Sequence, residues 1–493
     1  MNKLNFGETK VFKLGDFSEG INNDKNNISY PVNFAKNSYN FNFVDGSLKT
    51  GLGFKNFVIN YTFLGLNLEK TMTIPQKVVD IKKMWFFKKW DTDQKIYIYY
   101  LMIFTLNNDQ TKSFFWAPIE STIDVFLEVT NMSFTEAPII KIVRINGVEY
   151  FLLAPTYDGD HMYLWDGEEV FSYSVFSSVN DFEVKNGRYF GLTKDDSQQI
   201  YITTKDLSYW LNGMIQGQTI SLSNERGGLN KIISYGANLY LIRDYGITVL
   251  TPAEQIEDFK IKDLSKTSSK IYGETAVLCG DKILMLCDDG LYSFDGIDME
   301  KLSLGFENSL KYVDNKFAFA CFCNGKYYLS FRYEDNSKSE FIDIEDGKNN
   351  SLLELDVNTN KYCLMCGADV KCMINYFYNA PEKIIALLNE STNFGELCYN
   401  GKIFNTATQK VWESGETDFG TLNTKTLKSI TLKNLYPLKL NVYVDGQKYV
   451  FNIKSSNRMQ KINTNLKGIK FLISFESENA DACLNDVCLE VCE

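Results

Sequence analysis

The stretch 229–250, LNKIISYGANLYLIRDYGITVL, constrains the fold more than any other part of the chain. Ile232 and Ile233 lead into Gly236-Ala237-Asn238, the run Leu239-Tyr240-Leu241-Ile242 follows, and Asp244-Tyr245-Gly246 reverses the chain before Ile247-Thr248-Val249-Leu250. β-Branched and aromatic residues suit a pleated surface, and Gly and Asn supply positive φ at tight reversals, so the pattern predicts three short antiparallel strands. One such sheet cannot bury its two faces alone. It requires further sheets packed against it, and the chain carries them.

The same plan recurs at 77–104 (VVDIKKMWFF, then IYIYYLMIF, with Phe114-Phe115-Trp116 as a third strand), at 139–165 with Asn146-Gly147 as a type I′ turn, and at 182–210. It returns at 275–302, 317–365 and 371–404. About seven units of roughly 40 to 60 residues, each an antiparallel meander, are the mark of radial repetition. The expectation is an all-β chain: a β-propeller of about seven blades followed by a small C-terminal β-sandwich. Stacked sandwiches are the alternative, disfavoured by the recurring order of strand, turn, strand, Asp-Gly, strand. The N-terminal strand is expected to complete either the first blade or the last. Helices should be rare, with a single turn at 207–211 and a short helix after Thr251, where Pro252 takes the first position and Glu254 reaches back.

The flanks differ from the repeats. Residues 1–36 are polar and Asn-rich and predict an extended N-terminal arm; 37–408 form the propeller, 409–420 (QKVWESGETDFG) a polar connector, and 421–493 the sandwich. In the sandwich, Val442 and Val444 alternate with Tyr443, and Asp445-Gly446 turns the chain onto Tyr449, Phe451 and Ile453. Across 17–54 the alternation of Tyr39, Phe41 and Phe43 and the hairpin signal Asp45-Gly46 before Leu48 permit two readings. One is a flexible leader followed by an ordinary strand. The other is an arm that docks on a neighbouring subunit, with Gly20, Ile21, Asn22, Tyr39, Phe41 and, in the connector, Trp412 as the contact residues.

Composition narrows the class. Phe 36, Tyr 29 and Trp 6 against Pro 8 in 493 residues suit a strand-rich globular chain. A net charge of −11 argues against a protein that grips phosphates, although an acidic wall would let DNA pass without sticking. Residues 1–14 lack a signal-peptide core and the apolar window 96–106 is too short to span a bilayer, so a soluble protein made in the cytoplasm is expected. Its eleven cysteines are expected to be reduced and buried. Cys363, Cys366 and Cys372 have partial zinc spacing, but neither a His nor a second pair accompanies them, so core packing is the better reading.

Catalytic constellations find little material. The single histidine, His161, sits in GDHMYLWDG before a strand and reads as a strand-end residue, which removes His triads and multi-His metal sites. No GxxxxGK[ST], GxSxG or HExxH occurs, and Gly227-Gly228 reads as a loop entering a strand. A glycosidase needs two convergent carboxylates, yet Asp166, Asp289, Asp295 and Asp346 all precede Gly, where Asp serves turns. The acidic runs 343–346 and 476–481 lack the EF-hand pattern and read as solvated loops. Trp85, Trp90, Trp116, Trp165 and Trp210 are candidates for stacking on sugars, with blade packing preferred at each. No catalytic residue, metal or cofactor is expected.

The run GINND, then NSYNF, DGSL and LGF, resembles the opening of many virion propellers of tailed bacteriophages. GRYFGL, IYITTKDLSYW, the 227–250 stretch and ILMLCDDGLYSFDG resemble the propeller of those proteins, and WESGETDFG, TLKSITL, VYVDG and KGIKFLISF resemble the sandwich that follows it in packaged-DNA stabilisation and tail-nozzle proteins. The resemblance implies a structural, non-enzymatic virion protein of the head-to-tail connector, neck or tail. Its implied partners are other virion structural proteins, with several copies around the particle axis and DNA passing nearby. A receptor- or glycan-binding protein of the tail tip is the alternative, and a cell-wall glycosidase a weaker third.

Overall fold

The structure, a computed structural model, describes residues 9–14, 17, 20–23, 34–43, 45–174, 177–213, 215–311, 313–334, 348–378, 381–389 and 392–493. The stretch 229–250 forms the expected strands Leu229–Tyr235, Asn238–Arg243 and Gly246–Thr251, and Lys260–Lys266 adds a fourth. Ile232 faces Leu241, and Leu241 faces Thr248. The second strand is buried from Leu239 to Arg243 because its sheet is covered on both faces, which is why it reads as a continuous apolar run instead of an alternating one.

Sheets of this kind recur as blades. Among the described residues blade 1 spans 78–128, blade 2 139–173, blade 3 179–221, blade 4 229–266, blade 5 277–301 and blade 6 319–366, each a four-stranded antiparallel meander in chain order. Blade 7 takes three strands, Val370–Tyr376, Lys383–Leu388 and Phe394–Cys398, from the late chain and its next strand, Gly53–Asn56, from the early chain. The N-terminal strand therefore completes the last blade. The ring closes on the inside too, since Val370–Tyr376 packs against Val78–Asp91 of blade 1. Apolar clusters lie between neighbouring blades, such as Tyr100, Phe114, Phe151 and Trp165 between blades 1 and 2, and Leu192, Ile202, Leu229 and Leu241 between blades 3 and 4.

The sandwich holds two sheets. One orders Thr9–Leu14, Leu484–Cys492, Lys425–Asn434 and Ser456–Gly468; the other orders Ala35–Tyr39, Lys410–Ser414, Phe471–Ser477, Leu438–Val444 and Gln447–Ile453. This corrects the expected division of the chain. The described parts of 1–36 are not an arm without a core: Thr9–Leu14 pairs with Leu484–Cys492, and Ala35–Tyr39 pairs with Lys410–Ser414. The expected connector 409–420 likewise contains that central strand. The physical reason is that Lys410–Ser414 has two open edges, and Ala35–Tyr39 satisfies one of them.

Of two smaller expectations, one differs and one holds. Thr251 ends a strand and donates its hydroxyl to Asn238 Oδ1 at 2.6 Å, and a 3₁₀ turn forms instead at Ile256–Asp258. The single turn expected at 207–211 is a 3₁₀ helix, Leu207–Asn212, capped by Asp206.

Phe54 is fully buried between blades 6 and 7 and belongs to the strand that closes the ring. Phe54→Ala should destabilise the protein by about 3–5 kcal/mol, whereas Lys55→Ala, which removes a half-exposed ammonium from a buried Glu396 that keeps Lys383 as a partner, should cost about 1 kcal/mol. Urea denaturation checks both.

Burial sets the alkaline limit. It pushes seven thiols upward, among them Cys279, Cys323 and Cys363 to about 12. Burial also lowers four lysines, Lys70 and Lys410 to about 8. A thiol with a raised folded value contributes stability that is whole below its unfolded value near ~8.5 and is lost as pH rises; a lowered lysine gains in the opposite sense. Thiols outnumber lysines, so the urea midpoint should fall between pH 8 and pH 10, and Cys363→Ala should flatten the fall.

Candidate interaction site

The residues expected at an inter-subunit contact all meet inside this chain, in one core shared by propeller and sandwich. Gly20 turns with φ 77° and brings Ile21 and Asn22 beside Ala35: Ala35 N–H donates to Gly20 O at 2.9 Å and Asn22 N–H to Ala35 O at 2.8 Å. Ile21 N–H donates to the Tyr362 hydroxyl at 3.1 Å, and that hydroxyl donates to Leu304 O at 2.7 Å. Tyr362 thus joins the Gly-Ile-Asn turn to blade 6 and to the link after blade 5. A side chain at Gly305 would stand 1.8 Å from Ile21 O, so only Gly permits the approach.

Asn40 is the hinge between the two bodies. It lies between Tyr39, in a sandwich strand, and Phe41, against blade 6, with φ 62° and 3 % of its surface exposed. Its backbone N–H donates to Leu364 O at 2.8 Å, its Nδ2 to Cys366 O at 3.2 Å and Gln409 O at 2.6 Å, and its Oδ1 accepts from Cys366 N–H at 2.9 Å. Asn tolerates the left-handed backbone and satisfies both bodies at once. Tyr39 and Phe41 are buried on either side. Trp412 is buried too, edge-on to Phe17 with centroids 5.1 Å apart, and 5.8 Å from Phe475. Facing the chain's own interior, these six residues do not offer a docking surface to a neighbour, contrary to the docking reading.

Lys410, under Phe41, is fully buried with its ammonium on the carbonyls of Ala480 and Ala482. Tyr362→Phe should remove the shared hydroxyl and cost about 1–3 kcal/mol, and Asn40→Ala at least as much. Limited proteolysis should then cut at 40–53 faster than in the parent, with the blades still folded.

The tryptophans follow the packing reading in most cases. Trp165 and Trp210 are fully buried, Trp116 stands 5.6 Å from Trp165, and Trp85 stands 6.0 Å from Phe114. Trp90 differs. It lies near the tip of the long hairpin of Val78–Asp91 and Ile96–Asn107, 4.9 Å from Tyr97, with Lys88 Nζ 4.2 Å from the Tyr97 centroid.

A charged network that sequence reasoning missed lines the propeller channel. Lys141 Nζ lies 3.6 Å from Asp181 and 3.1 Å from Glu183, and Lys231 Nζ lies 3.9 Å from Asp181 and 3.3 Å from Glu274, linking blades 2 to 4 with the turn before blade 5. Asp181 also accepts from the N–H groups of Phe182 and Ile232. Half of the Glu274 side chain is exposed, yet the surrounding channel walls still oppose its ionisation; Lys231, Lys83 from blade 1 and Lys141 overcome that and hold the carboxyl below its usual range. Burial likewise opposes the charge on Lys231, and Glu274 and Asp181 reverse that effect. A glycosidase acid must keep its proton at neutral pH, and Glu274 is driven the other way. The signal was Lys141, Asp181, Glu183 and Lys231 inside strands that otherwise read as apolar.

Other expected positions behave as turns. Asp166 Oδ1 accepts from the N–H groups of Glu168 and Glu169, and Asp295 Oδ1 from those of Ile297 and Asp298. His161 stands just before Met162–Trp165 with Nδ1 2.9 Å from Ser172 Oγ. The run 343–346, including Asp346, lies outside the described residues. Cys363, Cys366 and Cys372 contact Phe41 O, Ser351 Oγ and Met84 O respectively, in three directions, and among the described residues no His, Cys, Asp and Glu cluster could hold a metal. A cleft of about 660 Å³ in the sandwich is lined by Leu438, Lys439, Ile453, Lys454, Glu476 and Glu478.

No protein-family model and no curated protein matches the chain. Among solved structures it is similar to BBS1N in complex with ARL6DN (8 % identity, TM-score 0.40, 70 % of this chain and 96 % of that one). It is also similar to the Neurospora crassa Pan2 WD40 domain (8 %, 0.38, 64 % and 88 %) and to the AfRom2 CNH domain (8 %, 0.39, 70 % and 98 %). Likenesses this distant say nothing of what the protein binds. Its strand order makes it a β-propeller with a fused β-sandwich.

Proposed function

We propose that the chain is a structural, non-enzymatic virion component of tailed-phage type, built into the head-to-tail connector, neck or tail. One observation carries the reading: the residues behind the phage resemblance, Gly20 to Asn22, Asn40 and its neighbours, and Gly53 with Phe54, are those that weld the sandwich to the propeller and close the ring. Motifs whose work is to make one stiff body from two domains suit a building part. Its partners on this reading are portal, connector or tail proteins, and its place is the virion. No cofactor enters it.

Mass spectrometry of purified particles from the source, together with labelling by an antibody against the sandwich, tests this. The protein should be present in fixed stoichiometry at one position on the particle axis; its absence from intact particles would sink the proposal.

Trp90, Tyr97 and Lys88 favour a second reading, a glycan- or receptor-binding face at the tip of the blade 1 hairpin. The turn of that hairpin joins first and second strands, so it lies on the face opposite the sandwich. Trp90→Ala with Tyr97→Ala should then abolish binding of the purified protein to host cells; no cell binding by the parent removes this reading.

A further inference from the structure

An open sheet has two edges, and the sandwich finishes one edge of each sheet with a strand brought from the start of the chain. Thr9–Leu14 adds to Leu484–Cys492, and Ala35–Tyr39 adds to Lys410–Ser414. At the other end of the two orders stand Ser456–Gly468 and Gln447–Ile453, and among the described residues no strand pairs with their outer edges. These two strands are consecutive, and Gln460 Nε2 donates to Lys454 O in the link between them at 2.9 Å, so the open edges begin side by side. Their inward side chains are poorly covered. Tyr449, Phe451, Ile462 and Leu466 are only partly buried against the core, whereas Leu440, Val442, Ile473 and Phe475 of the central strands are fully buried.

The two open edges are not equivalent. Ser456–Gly468 slips register twice against Lys425–Asn434, and its Asn465 has φ 49°. Bulges and left-handed residues of this kind blunt an edge against pairing. Gln447–Ile453 instead pairs with Leu438–Val444 over seven residues without a slip, so its outward N–H and C=O groups keep a regular ladder order. Val450 on its outer face is 48 % exposed. At its end Asn452, Ile453 and Lys454 run into the cleft of about 660 Å³.

The charge around this edge has one sign. Between Gly446 and Phe475 stand six Lys and Arg and no Asp or Glu, in a chain whose net charge is −11. Lys461 pairs with Glu490 and Lys470 with Glu416; among the described residues Lys448, Lys454, Arg458 and Lys467 form no ion pair. Lysines on an edge repel a like edge, which excludes the same strand of a second copy and leaves a strand of opposite charge as the fitting partner.

We propose that Gln447–Ile453 is an acceptor edge for an extended acidic segment of another protein, which joins the five-stranded sheet as a sixth strand. Main-chain hydrogen bonds supply the attachment, as they do where Ala35–Tyr39 closes the far edge of the same sheet. Side chains of the added strand alternate between faces: one set covers Tyr449 and Phe451, and the other lies beside Lys448 and Val450. The segment therefore alternates apolar and acidic residues. A nucleic acid is the poorer occupant, since its phosphates can meet the lysines but offer no N–H to the edge carbonyls and leave the two aromatic rings uncovered. The inference goes beyond the assembly reading and stands on the sandwich edge alone.

Fluorescence anisotropy of a labelled synthetic peptide, Ser-Glu-Val-Glu-Ile-Glu-Val-Ser, titrated with the full chain tests the proposal. Binding should saturate and weaken with salt, and a peptide with Lys in place of every Glu should not bind. K448E/K454E, at two exposed positions, should weaken binding about tenfold. Two further peptides carry N-methyl groups at alternate positions, one on the odd residues and one on the even. Only one of these sets faces the acceptor edge, so one methylated peptide should lose binding and the other keep it. Absence of peptide binding, equal behaviour of the two methylated peptides, or full binding by K448E/K454E would overturn the inference. So would a short DNA duplex that binds through the same lysines and displaces the peptide. A chain that binds the peptide but is absent from particles would remove the virion reading alone; a chain present in particles that ignores the peptide would remove this inference alone.

Discussion

A ring of sheets has no loose end only if the beginning and the end of the chain meet within one sheet. Here Gly53–Asn56 pairs antiparallel with Phe394–Cys398, with Phe54 opposite Leu397. Without that strand blade 7 would lack the pairing that couples it to the start of the chain, and blades 1 and 7 would be held only by side chains. Backbone pairing between residues more than three hundred positions apart makes opening the ring a cooperative event. The sandwich repeats the device, since Thr9–Leu14 and Ala35–Tyr39 pair with strands from the last fifth of the sequence. Each body is thus closed by the N-terminal segment, and that segment is what joins them.

What could be read from the sequence was what is local. Strand, turn and strand are specified within ten residues by Asn146-Gly147, Asp445-Gly446 and Gly236, all of which carry positive φ at their glycines, and the blades follow from repetition. The all-β class, the propeller and the sandwich were legible for that reason. The partner of an isolated strand was not. Ala35–Tyr39 reads AKNSY, a polar string, yet Asn37 and Ser38 are almost wholly buried. A strand buried through polar side chains gives no hydrophobic period to find. In TKVFKL the alternation of Phe12 and Leu14 with Val11 and Lys13 was available, but its mate lies at the other end of the chain.

The candidate contact residues illustrate the same limit from the other side. Aromatic residues in an otherwise polar leader suggest a surface waiting for a partner, and Tyr39, Phe41 and Trp412 do have one. The partner is the chain's own blade 6 and its own sandwich, because loop closure over a long chain costs only slowly more than over a short one, while burial of three aromatic side chains recovers several kcal/mol. Composition alone cannot separate an intermolecular arm from an intramolecular clasp. Asn40 can, since an exchangeable arm has no need of a buried left-handed residue bonded to both Cys366 and Gln409.

The channel network bears on how such a body behaves under load. Inner strands converge on the axis, where the side chains of Lys141 and Lys231 are about a quarter exposed and that of Glu274 about half, so charges there are desolvated only in part. Lys141, Asp181, Lys231 and Glu274 alternate in sign from blade to blade, so that rotation of one blade about its own axis breaks pairs with both neighbours. Lys83 adds an attraction to Glu274 from across the ring. Each pair contributes modestly where water reaches it. Together they oppose shear between blades, the motion that apolar contacts, being non-directional, resist least. A disk braced at its axis, closed at its rim by a strand and welded to a sandwich through Asn40, Tyr362 and a shared apolar core has little internal give.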